Sequence, residues 1–300
     1  MSWRNAWGIL KQTFLDGIDD NIPQLGAALA YYSIFSIAPL VLLAIALAGL
    51  VFGAQAGRGA VSQEIKETVG VQVSQAIESI LQSASTSRTG VLATILSVIV
   101  LFFGASGAFI QLQDSLNTIW KVMPRPGRGF WGILHDRFLS YAMVLGTGIL
   151  IVVSLIATSA LMVVVTYFSA SFSATTLDLW TALNWVVSFV VIALLFALIY
   201  KYLPDVKLRW SDVWAGAVVT ALLFTLGKYL IGLYLGRSSV TSAYGAAGSL
   251  VVILLWVYYS AQILLFGAEF TRVYTLRRRS RVEPSDNAIL RSNPFPLSPR

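Results

Sequence analysis

The sequence has no cysteine and a single histidine, and these shortages exclude several kinds of site. Without cysteine there are no disulfides and no thiolate metal ligands, so the redox compartment stays open. His135 stands beside Asp136 in a predicted loop, without the His-x-x-x-His spacing or the acidic cluster with which nucleases hold metal and activate water. The chain also lacks a phosphate-binding loop. We therefore expect no enzyme activity, no metal and no cofactor.

Charged residues are scarce as well, at 12% of the chain against about 25% in soluble domains, whereas hydrophobic residues make up 57%. A helix needs about 20 apolar residues to cross a bilayer, and six stretches meet that length. The sequence therefore predicts an all-α integral membrane protein with six transmembrane helices. The predicted spans are residues 26–53, 90–110, 138–168, 179–202, 213–235 and 244–274.

Three further segments complete the predicted organisation. In residues 1–25, five apolar side chains recur at intervals of three and four: Trp3, Trp7, Leu10, Phe14 and Ile18. That helix either lies in the membrane interface or packs on the cytoplasmic end of the bundle. Within the transmembrane domain, 26–276, the loop 54–89 predicts one or two extracytoplasmic amphipathic helices, because its apolar residues recur every four positions. Residues 277–300, basic and rich in Pro, Ser and Asn, are predicted to be a disordered cytoplasmic tail.

The basic residues are unevenly placed, and their placement predicts the topology. With six spans and a cytoplasmic N-terminus, 16 of the Lys and Arg residues fall inside, four fall outside and Lys228 lies within a span. This bias follows the positive-inside rule and puts both termini in the cytoplasm. It accounts for the net charge of +7 without nucleic acid. The juxtamembrane cluster of Arg277, Arg278, Arg279 and Arg281 is expected to contact anionic lipid headgroups.

Two predicted spans carry an ionisable residue, Lys228 in the fifth and Glu269 in the sixth. A charge in a bilayer usually faces a bundle interior or a watery cavity, which makes both candidate functional residues. Lys228 follows Asp212 by 16 residues, about 24 Å along a helix, so it lies in the outer half of the membrane. Glu269 lies at the inner edge, where Arg272 or the basic loops are its expected partners.

Two interpretations of Lys228 stay open. In the first, it faces a cavity on the outer side and attracts an anionic headgroup, for which a compact ammonium is well suited. In the second, it is a structural latch paired to Glu64, Glu67 or Glu78 in the loop 54–89.

Other polar residues lie within or beside the predicted spans. A polar stripe near the inner end of the second helix consists of Gln111, Asp114, Ser115 and Thr118, with Gln113 and Asn117 beside it. It either lines a vestibule or cross-links helices by hydrogen bonds. Asn184, near the outer end of the fourth helix, is a second candidate for headgroup binding. Pro39 is expected to kink the first helix, because proline removes one backbone hydrogen bond.

Several motifs occur together and in a fixed order. They are AALAYYSIFSIAP at 27–39, QDSLNTIW at 113–120, LPD at 203–205, GA at 216–217, GKYL at 227–230, YGAAG at 244–248 and GAEF at 267–270. With these motifs the chain resembles the YihY/BrkB family of bacterial inner-membrane proteins over nearly all of residues 10–275. The resemblance implies six helices in a bacterial plasma membrane. It implies little chemistry, since the family's labels, ribonuclease BN and virulence factor for serum resistance, describe no mechanism.

The leading functional hypothesis is a non-enzymatic inner-membrane protein, a transporter or flippase-like handler of a lipid or another amphiphile, with an anionic one as an option. The alternative is a structural or scaffolding protein for envelope integrity or serum resistance, which recruits partners through the loop 54–89 or the basic tail. The lack of hydrolytic residues argues against the ribonuclease label. Substrate, energy coupling, direction of transport and a homo-oligomeric state stay open.

Overall fold

The computed structural model describes residues 3–86, 107–125, 146, 174–237, 244, 247–279 and 281–291, and most of these are helical. The helices of the first stretch are α1 (Trp3–Asp19), α2 (Ile22–Phe52), α3 (Ala54–Val69) and α4 (Val71–Thr86). The later stretches contain α5 (107–119), α6 (Ala174–Tyr202), α7 (Trp210–Arg237) and α8 (Gly248–Arg278). Two short strands, β1 (Val122–Pro124) and β2 (Ala288–Leu290), pair in antiparallel orientation.

Three of the described helices are long and apolar enough to cross a membrane, and they coincide with the last three predicted spans. These stretches are Trp185–Tyr202 of α6, Trp210–Leu235 of α7 and Gly248–Arg278 of α8. At the first predicted span, α2 contributes a shorter apolar stretch, Ile22–Ile37. Most of 90–110 and nearly all of 138–168 lie outside the described residues. The helical, membrane-spanning character is thus confirmed, while the count of six and the sides of the termini stay predictions.

Glycines in the left-handed backbone region separate the helices that follow α2. Gly53 has a φ of 85° between α2 and α3, and Gly70 has a φ of 89° between α3 and α4. Other residues rarely adopt such a φ, so glycine allows the chain to end one helix and begin the next in a new direction. As far as Thr86, the loop 54–89 consists of two helices, α3 and α4, and its extracytoplasmic position stays a prediction.

Pro39 lies inside α2, which is helical without a break from Ile22 to Phe52. The proline removes one backbone hydrogen bond but does not end the helix. Nearly one turn earlier, the Ser36 hydroxyl donates a hydrogen bond of 3.0 Å to the Ser33 carbonyl. The kink at Pro39 stays a prediction.

Helices α7 and α8 cross through two matched glycine–threonine contacts. A Cβ on Gly216 of α7 would lie 1.7 Å from Thr271 Oγ1 of α8. Likewise, a Cβ on Gly267 of α8 would lie 1.9 Å from Thr220 Oγ1 of α7. Each threonine hydroxyl donates within its own helix, to the carbonyl of the glycine four residues earlier. Small residues spaced by four on both helices therefore bring the two backbones close together.

The main core lies where α5, α6, α7 and α8 meet. Tyr200 of α6 is wholly buried there. Its hydroxyl donates to the Leu264 carbonyl at 2.7 Å and lies 2.9 Å from Thr220 Oγ1. A buried hydroxyl requires such partners, because the bilayer core offers no water to replace them.

Helix α1 packs on α8 with one face and leaves its predicted apolar face exposed. Ile9 and Thr13 are buried, whereas Trp7 is 66% exposed and Phe14 and Ile18 are exposed to a similar extent. The helix was expected either to lie in the membrane interface or to pack on the bundle, and different faces of it are available for these two roles. It packs on the bundle through Ile9 and Thr13, and its apolar face points away from the bundle.

The segment 281–291 is ordered, which corrects the prediction that the whole tail is disordered. Besides the pairing of β2 with β1, the Lys207 amide donates to the Glu283 carbonyl at 2.9 Å. The Ser285 amide donates to the Asp205 carbonyl at 2.9 Å, and the Arg291 amide to the Lys121 carbonyl at 2.8 Å. Main-chain groups make these contacts and require no periodic side-chain pattern, which is why the sequence did not reveal them. Ser280 and residues 292–300 lie outside the described residues.

This segment, α1 and the C-terminal half of α8 share one end of the bundle, which we call the tail end. Helices α3 and α4 lie at the other end, where α4 contacts α8 near Val252 and Ile253. We call it the α3–α4 end.

Candidate functional site

A pocket of about 500 Å³ lies at the α3–α4 end, between α7 and the junction of α3 with α4. Volumes of this size are typical of small-molecule sites. Gly70 and Gly232 leave space in its wall, since a Cβ on either would meet nothing within 4 Å. The lining residues are Lys66, Glu67, Gly70, Gln72, Lys228, Tyr229, Gly232 and Leu233.

Lys228 is half-buried in this pocket, and its ammonium is placed by three contacts. Nζ donates a hydrogen bond of 3.2 Å to the main-chain carbonyl of Glu67, near the C-terminal end of α3. The carbonyls at a helix C-terminus attract cations. Nζ also lies 5.9 Å from the ring centre of Trp185 and 5.6 Å from that of Tyr229, distances within the range of cation–π attraction. The two rings stack on each other at 6.0 Å.

The latch interpretation requires Lys228 to pair with a carboxylate, and the contacts of Glu67 can be compared with that requirement. The acceptor at Glu67 is its main-chain carbonyl, and the Glu67 carboxylate accepts a hydrogen bond of 2.7 Å from Gln63 instead. The direct contacts of the ammonium are therefore a neutral carbonyl and two aromatic rings. The Glu67 and Glu64 carboxylates attract it electrostatically without a direct ion pair, so both interpretations of Lys228 stay open.

Glu269 lies at the tail end, far from Lys228. It pairs with Arg272, which was one of its two expected partners. Their Oε1 and Nε atoms are 2.9 Å apart, and the Glu269 side chain is wholly buried. The distance is that of an ion pair, but the atoms are not aligned for a hydrogen bond. Arg272 also pairs with Asp16 of α1 at 2.6 Å and donates to the Ile119 carbonyl of α5 at 3.1 Å.

The polar stripe on α5 divides into two parts. Asn117 donates to Asp205 Oδ2 at 2.9 Å and accepts from the Asp205 amide at 2.8 Å, while Gln113 makes a long contact of 3.5 Å to Oδ1. These two residues cross-link α5 to the loop after α6. Gln111 bonds within α5, to Ser115, and Asp114 is exposed. Sequence reasoning missed Asp205 as the centre of the network, although it stands in the LPD motif.

The virulence factor BrkB family matches residues 15–289. The chain belongs to the virulence factor BrkB family. This confirms the resemblance stated from the motifs, and with the apolar helices it identifies a multi-pass protein of the bacterial inner membrane.

Relatives of this BrkB-family chain are UPF0761 membrane proteins. That of Ralstonia nicotianae is 26% identical, over 87% of this chain and 57% of the relative. That of Paraburkholderia xenovorans is 29% identical, over 83% and 56%. That of Pseudomonas aeruginosa is 26% identical, over 86% and 63%. The chain thus spans less than two thirds of the length of these relatives, between 56% and 63%. No solved structure matches it.

The basic cluster of the BrkB-family chain serves more than one purpose. Arg279 pairs with the buried Asp212 at 3.2 Å and so ties the end of α8 to the start of α7. Arg278 donates to Tyr274 and lies over its ring, and Arg277 lies against Gly8 of α1. Arg277, Arg278 and Arg281 are exposed.

Two other candidates cannot be placed in detail. Asn184 belongs to α6, but its side chain is outside the described residues, as are His135 and Asp136. Among the residues that the structure does describe, no group of three or more His, Cys, Asp or Glu side chains could hold a metal ion.

Proposed function

We propose that this BrkB-family chain is a non-enzymatic handler of an anionic amphiphile, acting as a transporter or flippase-like protein. The observation that carries the proposal is the pocket around Lys228, where a partly buried ammonium faces open space beside a membrane-spanning helix. A buried ionisable residue in a span generally marks a functional site.

The charge of the pocket supports an anionic ligand. Lys66 and Lys228 line it together with one acid, Glu67, whose carboxylate is engaged by Gln63. The lining residues therefore carry one net positive charge, which the attraction of Lys228 to the nearby Glu67 and Glu64 carboxylates reduces. Such a charge is screened less than one in open water and attracts a phosphate-like headgroup without requiring fixed geometry.

The surface next to the pocket supports an apolar tail on the same ligand. Leu226, Leu230 and Leu233 follow one side of α7 at spacings of four and three, and all three are more than half exposed. Exposed leucines on a spanning helix face lipid, and Leu233 also lines the pocket. A headgroup at Lys228 would thus have its acyl chain along these leucines.

Anionic lipid is also proposed as a partner at the tail end. Trp7, Phe14 and Ile18 are exposed, Arg277 of α8 lies against Gly8 of α1, and Arg278 is the next residue along α8. An apolar face flanked by cations is the pattern of a helix in the headgroup region of an anionic membrane. We propose that α1 lies there, with the arginines contacting phosphates.

The test is reconstitution of the full chain in liposomes that contain fluorescently labelled phosphatidylglycerol or, in a parallel set, labelled phosphatidylcholine. We expect the chain to accelerate exchange of the anionic lipid between leaflets. Lys228→Met should lower that rate about tenfold, the effect of roughly 1.4 kcal/mol of lost interaction, and Lys228→Arg should retain part of it. Lys207→Met, an exposed lysine at the tail end, is the matched control and should leave the rate unchanged.

The alternative function predicts a different outcome. If the chain is a scaffold, liposomes with and without it exchange lipid at equal rates, and a partner protein copurifies through the loop 54–89 or the tail. Equal rates for both lipids, or for Lys228→Met and the unaltered chain, would remove Lys228 from the mechanism.

A further inference from the structure

Five charged side chains surround the buried end of α8. Glu269 and Arg272 belong to α8 and Asp16 to α1, while Asp20 directly follows α1 and Lys121 follows α5. Lys121 pairs with Asp20, and Arg272 with both Asp16 and Glu269. These are the charged groups of the described chain that act on Glu269 from the elements packed around it.

The charges in this cluster do not balance. Three carboxylates face two cations, which leaves one excess negative charge if every group is ionised. The Glu269 side chain has no exposed surface, and that of Asp20 is 5% exposed. An uncompensated charge in such a place is strongly disfavoured by the loss of its hydration, so a buried cluster of this kind generally reaches neutrality by binding a cation or a proton.

Hydrogen bonding identifies the carboxylate that is least stabilised as an anion. Asp16 accepts from Gln12 at 2.5 Å and from Arg272 at 2.6 Å. Glu269, by contrast, has no aligned hydrogen bond to either oxygen from any described residue. Its one close cation, Arg272, is shared with Asp16 and with a carbonyl of α5.

We propose that Glu269 is a proton-binding site and carries the proton that neutralises the cluster in the folded protein at neutral pH. A metal ion is a poorer solution, because the described acids are not arranged as a group of three that could hold one. The neutral carboxyl leaves the guanidinium of Arg272 to Asp16, which holds α1 on the bundle. The site goes beyond the amphiphile pocket and does not depend on it.

Infrared spectroscopy tests the proposal on the full chain in lipid nanodiscs at neutral pH, where exposed carboxyl groups are ionised. We expect one carbonyl stretch of a protonated carboxylic acid per chain, and we expect it to shift when glutamate is labelled with ¹³C. Glu269→Gln should abolish the band. Glu78→Gln, the same change at an exposed glutamate of α4, should leave it intact.

If Glu269→Gln does not fold, the infrared spectrum of the ¹³C-glutamate-labelled native protein still tests whether a glutamate is protonated. A protonated-acid band that shifts with ¹³C-glutamate and disappears as the pH is raised supports the proposal. The proposal is overturned if neutral samples show no such band, if the band is insensitive to glutamate labelling, or if it survives in a folded Glu269→Gln protein. Lipid exchange is not measured, so these results are separate from those on Lys228.

Discussion

The two ends of the bundle use polar residues in different ways. At the tail end, Arg272 joins α8 to α1 and α5, and Asn117 joins α5 to Asp205. At the α3–α4 end, Lys228 has a single main-chain hydrogen bond, two aromatic neighbours and a pocket beside it. Polar groups in a membrane bundle are retained when they hold helices together or when they meet a ligand. The first use fits the tail end, and the second fits the α3–α4 end.

The largest difference in stability is expected between two glycine-to-alanine substitutions, one towards each end of α7. Gly216→Ala should lower the free energy of unfolding by about 3 kcal/mol, the upper part of the range for overpacking. Its new methyl group would meet Thr271 Oγ1 at 1.7 Å and the branched Cβ at 2.8 Å. Gly232→Ala meets nothing within 4 Å and should be neutral or slightly stabilising. Unfolding in mixed detergent micelles measures both.

A second-site change checks the cause of the Gly216→Ala effect. Replacing Thr271 by alanine removes Oγ1 and Cγ2 but keeps Cβ, which would lie 2.8 Å from the new methyl group. The double variant should therefore recover part of the lost stability. Equal losses for Gly216→Ala and Gly232→Ala would contradict the idea that the two ends differ in packing.

The next effect concerns hydrogen bonds. Asn117→Leu removes two hydrogen bonds to Asp205 and should cost about 2 kcal/mol, because the Asp205 amide and carboxylate lose their partner in a buried place. Gln72→Leu, in the wall of the pocket, should cost less than about 0.5 kcal/mol, as expected for a site away from such networks. Thermal unfolding of both variants in one detergent gives the comparison. Similar losses would mean that the pocket wall is as tightly bonded as the tail end.

Lys228→Met should change stability by about 0.5 kcal/mol or less, although in our proposal it lowers the rate of lipid exchange about tenfold. Methionine preserves the contact of the side chain with the Trp185 and Tyr229 rings, and the Glu67 carbonyl can turn to water. The latch interpretation predicts a larger loss, which removal of a carboxylate at Glu64, Glu67 or Glu78 would restore. Unfolding of the single and double variants distinguishes the two.

Local spacing made part of this structure predictable. The length of the apolar stretches predicted the spans in α6, α7 and α8. The recurrence of apolar residues at every fourth position predicted the helices α3 and α4. Glu269 and Arg272 are three residues apart on one helix, so their pairing follows from helical geometry. The distance of Lys228 from Asp212 along α7 placed it away from Glu269.

Contacts between distant parts of the chain were not predictable in this way. Asn117 and Asp205 are 88 residues apart, and nothing in either local pattern specifies the other. The tail pairs through main-chain amides, which every residue except proline possesses. The apolar face of α1 was predicted, but the direction in which it points was left open. The face that packs on the bundle is formed by Ile9 and Thr13, of which the second is polar.

The smallest effect should come from the ion pair that links the tail to the loop after α6. Lys207 and Asp286 are 2.5 Å apart and mostly exposed. The hydrogen bond to Asp286, and then its charge, raises the pKa of Lys207 above 10.5. The hydrogen bond to Lys207 lowers the pKa of Asp286 below 3.8. Exposed pairs contribute little and weaken with salt.

The signs of these shifts fix the pH range over which the pair stabilises the tail. A lowered carboxyl pKa gives stability that is present above 3.8 and is lost as the pH falls through the folded-state value. A raised lysine pKa gives stability that is present below 10.5 and is lost as the pH rises through its folded-state value. Asp286→Asn should therefore speed hydrogen exchange of the Ser285 and Arg291 amides slightly near neutral pH. Its effect should vanish in acid, where the native Asp286 is protonated, and an equal effect at both pH values would show that the charge is not its cause.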